Sequence, residues 1–294
     1  MWTRLINSAD DEGGVADPVL TLTAILLLLR PFDVWWIAPF ALAAACLALA
    51  VRRVRRAPIT WLVLAALAAG RIVLVWPLSD NHIYLLAYWC LAIGLALASP
   101  APAAALATSS RWLLAAAFAM AVLWKGLLSP DYMDGRFFRV ALLTDPRFAD
   151  ASMVFGGLTP DQMNENRGFL EALPEGAELL TSPAFVEPPR LRAFAALATW
   201  SGLGLEALIA LLYMLPAKKR VQVARHGALL VFCATTYALA PVAGFGWLIA
   251  AMGLAQCRPS QQWLRGAYIW MFLLILFYSE IPWAAVLAEW TGVP

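Results

Sequence analysis

Four charged side chains sit inside otherwise apolar stretches: Arg71, Lys125, Glu206 and Glu280. A charge held in hydrocarbon costs roughly 2.5–3.5 kcal/mol per residue on insertion scales, so each is a functional-site hypothesis by default. Glu206, in the run Gly202-Leu203-Gly204-Leu205-Glu206-Ala207-Leu208, has a stem too short to reach water, so it must be paired or protonated. A structural ion pair and a catalytic carboxylate are both open to it. Glu280 precedes Ile281-Pro282, where a proline kink can open a helix. Lys125 and Arg71 lie in the outer halves of their stretches. Their long stems can snorkel to lipid headgroups, and that anchoring role competes with chemistry. The spacing predicts that Arg71, Lys125 and at least one of the two glutamates approach one pocket in the outer half of a helical bundle.

Other chemistries find less support. His82 and His226 are the two histidines, and the topology below puts them at opposite ends of the bundle, so they cannot share a metal. No H-E-x-x-H, phosphate-loop, dinucleotide or nucleophile-elbow pattern is present, and no metal is expected. The four cysteines, Cys46, Cys90, Cys233 and Cys257, fall in or at the ends of apolar stretches and form no C-x-x-C pair. A net charge of +2 gives no reason to expect nucleic acid as a partner.

The elements that must position these residues are long apolar helices. Residues 34–51, 58–77, 82–98, 112–128, 193–215, 227–256 and 266–288 form such stretches. A hydrocarbon core of about 30 Å takes roughly 17–25 helical residues to cross. The chain is 62% hydrophobic and 14% charged, with mean hydropathy +0.73, whereas about a quarter of a soluble domain is charged. The expected fold is all-α, a polytopic bundle of about 7–9 membrane segments with a small extracytoplasmic cap. The lipid bilayer is then the principal partner. Asp10, Asp11, Glu12 and Asp17 near the start argue against a cleaved signal peptide.

Basic loops set the orientation. Arg52, Arg53, Arg55 and Arg56 follow one stretch, Lys218, Lys219, Arg220 and Arg225 another, and neither loop holds an acid. Such loops stay in the cytoplasm of an inner (plasma) membrane. Residues 129–192 then face outward, between transmembrane halves 1–128 and 193–294. This middle segment carries ten acids against six arginines. Ser129-Pro130-Asp131 reads as a helix start with Ser129 as N-cap. Arg136–Leu143 could lie on the membrane surface. Thr159-Pro160-Asp161 starts a second helix running to about Leu173, stopped by Pro174-Glu175-Gly176. Two segments are ambiguous. Residues 18–30 are either a short span or an in-plane helix. Residues 227–256, about 45 Å if continuous, are either one kinked helix or two half-helices meeting near Pro241, the second returning to the cytoplasm.

Trp124-Lys125-Gly126-Leu127-Leu128-Ser129-Pro130-Asp131-Tyr132-Met133-Asp134-Gly135 resembles a segment of the horizontally transferred transmembrane (HTTM) domains, the group that includes vitamin K-dependent gamma-glutamyl carboxylase. Asn81-His82-Ile83-Tyr84 and Thr235-Thr236-Tyr237 with Pro241–Trp247 look similar as well. The resemblance spans about residues 60–250. It implies a base at Lys125 that deprotonates a quinol, and desolvation of a lysine favours the neutral amine that role needs. The large lumenal substrate-binding domain of the animal enzyme is missing here, which puts glutamate carboxylation in doubt. The expected site takes Lys125, Glu206 and Glu280 as catalytic groups, with Arg71, His82 and Trp124 around a bound quinone or hydroquinone. A non-catalytic subunit holding partners in a membrane complex is one alternative. A transporter using the break near Pro241 is the other.

Overall fold

A computed structural model of the chain describes residues 17–171, 175, 184–216, 218–240, 242–281, 283, 286 and 290. Among these residues there are fourteen α-helices and no strand. Helices α1 (Asp17–Leu29), α2 (Ala38–Ala50) and the short α3 (Arg52–Arg55) lead into the hairpin of α4 (Pro58–Val75) and α5 (Asn81–Leu97). Helix α6 (Pro102–Leu123) ends in a π-turn, Trp124–Leu128. The cap follows: α7 (Pro130–Met133), α8 (Arg136–Thr144), α9 (Ala149–Ala151) and α10 (Pro160–Gly168). The chain re-enters the bundle through α11 (Pro189–Met214), α12 (Lys219–Leu239), α13 (Ala243–Ala255) and α14 (Gln262–Glu280).

Length and composition qualify three helical segments to cross a membrane: Pro58–Val75, Pro102–Leu128 and Pro189–Met214. Shorter apolar helices accompany them at Asp17–Leu29, Ala38–Ala50, Asn81–Leu97 and Gly244–Ala255. Prolines open many of these elements (Pro58, Pro102, Pro130, Pro160, Pro189), at the first helical position, where their missing N–H costs nothing.

Both ambiguous segments are helical, and the second is broken in two. Helix α1 buries one broad face through Val19, Leu20, Ala24, Leu26 and Leu27, and packs on α2 and α13. At 13 residues it is one of the shorter apolar helices, and its packing is compatible with a short span and with an in-plane helix alike. Its Thr23 hydroxyl accepts from the Trp89 indole at 3.0 Å, tying α1 to α5. The 227–256 stretch breaks into α12 and α13 at residues 240–242. Pro241 itself lies outside the described residues. Helix α13 is apolar all round, and Trp247 to Met252 are each at most 1% exposed. Such a helix belongs inside a bundle, and α1, α5, α6, α12 and α14 surround it. Thirteen residues reach only about 20 Å, which suffices because protein rather than lipid encloses it.

Close packing requires missing side chains at two points. A Cβ at Gly94 would come within 2.8 Å of Leu62, so α4 and α5 approach closely there. A Cβ at Gly253 would sit 2.3 Å from the ring of Tyr268. Tyr268 is fully buried and its hydroxyl is 2.7 Å from His226 Nδ1. Polar anchors mark the basic end of the bundle. Asp17 pairs with Arg52, Arg55 and Arg56. Arg111 donates to the carbonyls of Tyr213, Met214 and Leu215, and Arg225 to those of Leu212 and Leu215. Two guanidinium groups thus cap the carbonyls left unpaired where α11 ends.

The cap has its own core of Leu142, Leu143, Phe148, Ala151, Leu158 and Met163, closed below by Leu191 and Ala195 of α11. Helix α10 starts on a full capping box between Thr159 and Gln162. It ends at Gly168, short of the expected Leu173, and the expected stop at Pro174 lies outside the described residues. Ser129 precedes α7 but its side chain makes no capping bond, because the π-turn delivers it at φ −124° and ψ 84°. Asn166 holds both backbone groups of Val186, at 3.0 and 2.8 Å. Glu187 accepts from Arg139 at 2.7 and 2.6 Å and from Arg192 at 3.0 Å.

Candidate functional site

The expected single pocket is two separate places. Arg71, His82 and Glu280 line a cavity of about 800 Å3, whereas Lys125, Glu206 and Trp124 are not among its lining residues. The separation follows from the helices: Lys125 ends α6 beside α11, while Arg71, His82 and Glu280 come from α4, α5 and α14.

The cavity lies where the α1–α2 turn, the α4–α5 turn, the start of α13 and the end of α14 meet the cap. The first turn supplies Arg30 to Asp33, the second Asp80 and His82, and the cap Pro146, Arg147, Ala149 and Asp150. Val242 and Gly244 line it at the helix break, and Tyr278 to Ile281 line it at the end of α14. Gly244 keeps this wall thin: a Cβ there would be 3.4 Å from the His82 ring and 3.8 Å from Arg30.

Arg71 does not snorkel to lipid. It is 5% exposed, donates through Nε and Nη2 to Asp33 at 2.8 and 2.9 Å, and reaches Ser79 Oγ at 2.6 Å. The hydrogen bond from Arg71, opposed in part by desolvation, holds the Asp33 carboxyl below the usual carboxylate range. Arg147 is satisfied by Asp145. Arg30 has no ion pair among the described residues and stands 6.0 Å over the Trp247 ring. Asp150 is half-buried, and desolvation pushes its carboxyl up. Glu280 is exposed at the rim, 3.4 Å from the Ser279 hydroxyl.

At the second place Lys125 Nζ donates to Glu206 Oε1 at 2.5 Å and lies 4.9 Å over the Tyr132 ring. Glu206 is 7% exposed, and its Oε2 is buried with no hydrogen-bond partner among the described residues. Burial first, and the Glu206 carboxylate second, push the Tyr132 phenol up, so it stays a neutral donor. The π-turn delivers Lys125 here by rotating the last turn of α6; π-turns within helices often occur at functional positions. Trp124, next in line, is 61% exposed and points away as a surface anchor would.

Sequence reasoning missed Asp33, Asp150, Arg30 and Tyr132. Asp33 and Arg30 read only as the polar end of α1. Asp150 and Tyr132 belong to a segment where acids and aromatics are common. Asp33 precedes Arg71 by 38 residues, and no local period joins them. Compared with models of protein families, with curated proteins and with solved structures, the chain matches none.

Proposed function

We propose that this chain is a multi-pass plasma-membrane protein that binds a lipid-soluble ligand in the cavity beneath its cap. The observation that carries the reading is the cavity itself. About 800 Å3 of space with charged walls opens at one end of an otherwise apolar bundle, at the level where helices give way to polar turns. Pockets of roughly 300–1,000 Å3 hold small organic ligands. A ligand with a polar head and an apolar body would place the head against Arg30, His82 and Glu280. Nine bundle helices alternate in direction: α1, α2, α4, α5, α6, α11, α12, α13 and α14. The ends bearing Arg52–Arg56 and Lys218–Arg225 face the cytoplasm, and residues 129–192 face outward.

The test is native. The protein is purified without added lipid, and its retained small molecules are extracted and identified by mass spectrometry. A second preparation carries Ala149→Trp, which fills the cavity from the cap side. A ligand kept by the first and lost by the second is the expected result. Equal retention by both preparations refutes binding in this cavity.

A second reading follows the resemblance to HTTM and carboxylase-like proteins and makes Lys125 a base toward a quinol. The unpartnered Glu206 Oε2 supports it, because a carboxylate oxygen beside the amine can accept a proton or orient a ligand hydroxyl. Lys125→Arg separates this reading from a structural pair. Arginine pairs with Glu206 but cannot accept a proton at neutral pH. Loss of activity in Lys125→Arg, with normal insertion, supports the base. Full function of that variant leaves Lys125 as a structural partner of Glu206.

A further inference from the structure

The cavity holds charges of both signs, and most of those without an ion pair among the described residues are acidic. Arg71 is taken by Asp33 and Arg147 by Asp145. That leaves Arg30 against Asp80, Asp150 and Glu280, none of which forms an ion pair among the described residues. Arg30 belongs to the wall shared with Gly244, where α13 begins. The positive end of that helix adds to the guanidinium there. Asp150 hangs from the cap and Glu280 ends α14. Arg30, Asp80 and Glu280 are exposed and Asp150 is half-buried, so water meets these charges when nothing is bound. A bound molecule that displaces that water must meet both signs itself, or their desolvation goes uncompensated. A purely anionic headgroup meets three free carboxylates. A neutral ring leaves all four charges unmet.

The geometry points to a zwitterionic aminoalkyl phosphate as the ligand head, with its phosphate toward Arg30 and the start of α13 and its ammonium toward Asp80, Asp150 and Glu280. This inference rests on the cavity being the ligand site. A primary ammonium is favoured over a quaternary one, because three N–H donors can be shared among carboxylates while a methylated nitrogen donates none. Two sources share this chemistry: the headgroup of an aminophospholipid and a soluble aminoalkyl phosphate. The place of the cavity, at the end of apolar helices, favours the lipid.

Three arms decide. In the first, lipids retained by the native protein are identified. Phosphatidylethanolamine is expected at a constant ratio to protein, in excess of phosphatidylglycerol relative to the membrane it came from. In the second, binding is measured in nanodiscs of phosphatidylcholine doped with a fluorescent phosphatidylethanolamine. The double variant Asp150→Asn/Glu280→Gln should bind this lipid on the order of tenfold more weakly, the loss of charge-assisted hydrogen bonds. Its binding of a fluorescent phosphatidylglycerol should stay the same or tighten. That second lipid also shows that the variant is folded. In the third, free phosphoethanolamine competes with the labelled lipid. Competition at micromolar concentration assigns the site to a soluble zwitterion, and its absence assigns it to the lipid. A retained anionic lipid or quinone that Ala149→Trp displaces overturns the zwitterion while leaving the cavity as a ligand site. Unaltered lipid preference in the double variant also overturns it. If nothing retained depends on Ala149, the cavity reading fails first.

Discussion

Replacing Asp33 with alanine should destabilise the protein through a residue 38 positions away. The change leaves Arg71, 5% exposed, with the Ser79 hydroxyl as its one remaining side-chain hydrogen-bond partner among the described residues. Deleting one member of a buried ion pair costs about 3–5 kcal/mol, and breaking an exposed pair about 0–1 kcal/mol. The present pair is mixed: the Arg71 side chain is 6% exposed and that of Asp33 is 61%. Water can therefore replace part of what the carboxylate supplies, and the expected loss is about 2 kcal/mol. In a chain of this size that lowers Tm by roughly 5 °C. Asp33→Asn keeps an acceptor without the charge and should fall in between. Arg71→Leu combined with Asp33→Leu should recover much of the loss, since the buried charge has gone. Thermal unfolding in one detergent, run as a double-mutant cycle, reads all of these. An effect of Asp33→Ala below about 0.5 kcal/mol, or strict additivity in the cycle, would refute the reasoning. The pH dependence supplies a second check. The folded carboxyl titrates below its ordinary value of 3.8, so its contribution is complete above that pH and is lost as pH falls through the lower folded value. Asp33→Asn should lack this acid-side loss.

Gly253→Ala should cost about 1–3 kcal/mol or prevent folding, because the added methyl meets the Tyr268 ring at 2.3 Å, and that ring is fixed by His226; thermal unfolding checks it, and a wild-type Tm would contradict the packing. Glu187→Ala should loosen the cap by about 1 kcal/mol, since Arg139 and Arg192 are themselves partly exposed, and faster proteolysis within residues 129–192 reads it. Orientation is tested with single cysteines on a background lacking the four native ones. Arg53→Cys is chosen because Arg53 is exposed, whereas Arg55 is partly buried and bonded to the carbonyls of Ala48 and Leu49. An impermeant thiol reagent on intact cells should label Glu171→Cys and spare Arg53→Cys, and the reverse pattern would invert the topology.

Composition and period were enough to make this chain helical and apolar. Runs of about twenty uncharged residues leave water no role, so helices that satisfy their own backbones follow from the sequence alone. Local punctuation was legible too: the helix starts at Pro130 and Pro160, and an irregularity near Pro241, though not whether it kinks one helix or parts two. These signals act within one turn of chain, where neighbours in sequence are neighbours in space. The partners of the charges were not legible. Arg71 could have faced headgroups or protein, and only the turn bringing Asp33 beside it decided. Lys125 was expected to share a pocket with Arg71 and at least one of Glu206 and Glu280, but which carboxylate it meets was open: its 2.5 Å contact with Glu206 depends on a π-turn in α6 and on α6 packing along α11. The same packing separates them from the cavity that gathers Arg71, His82 and Glu280. Burying one charge is costly, and a sequence displays that cost residue by residue. Which other charge relieves it is set by helix rotation and depth, and those are properties of the assembled bundle.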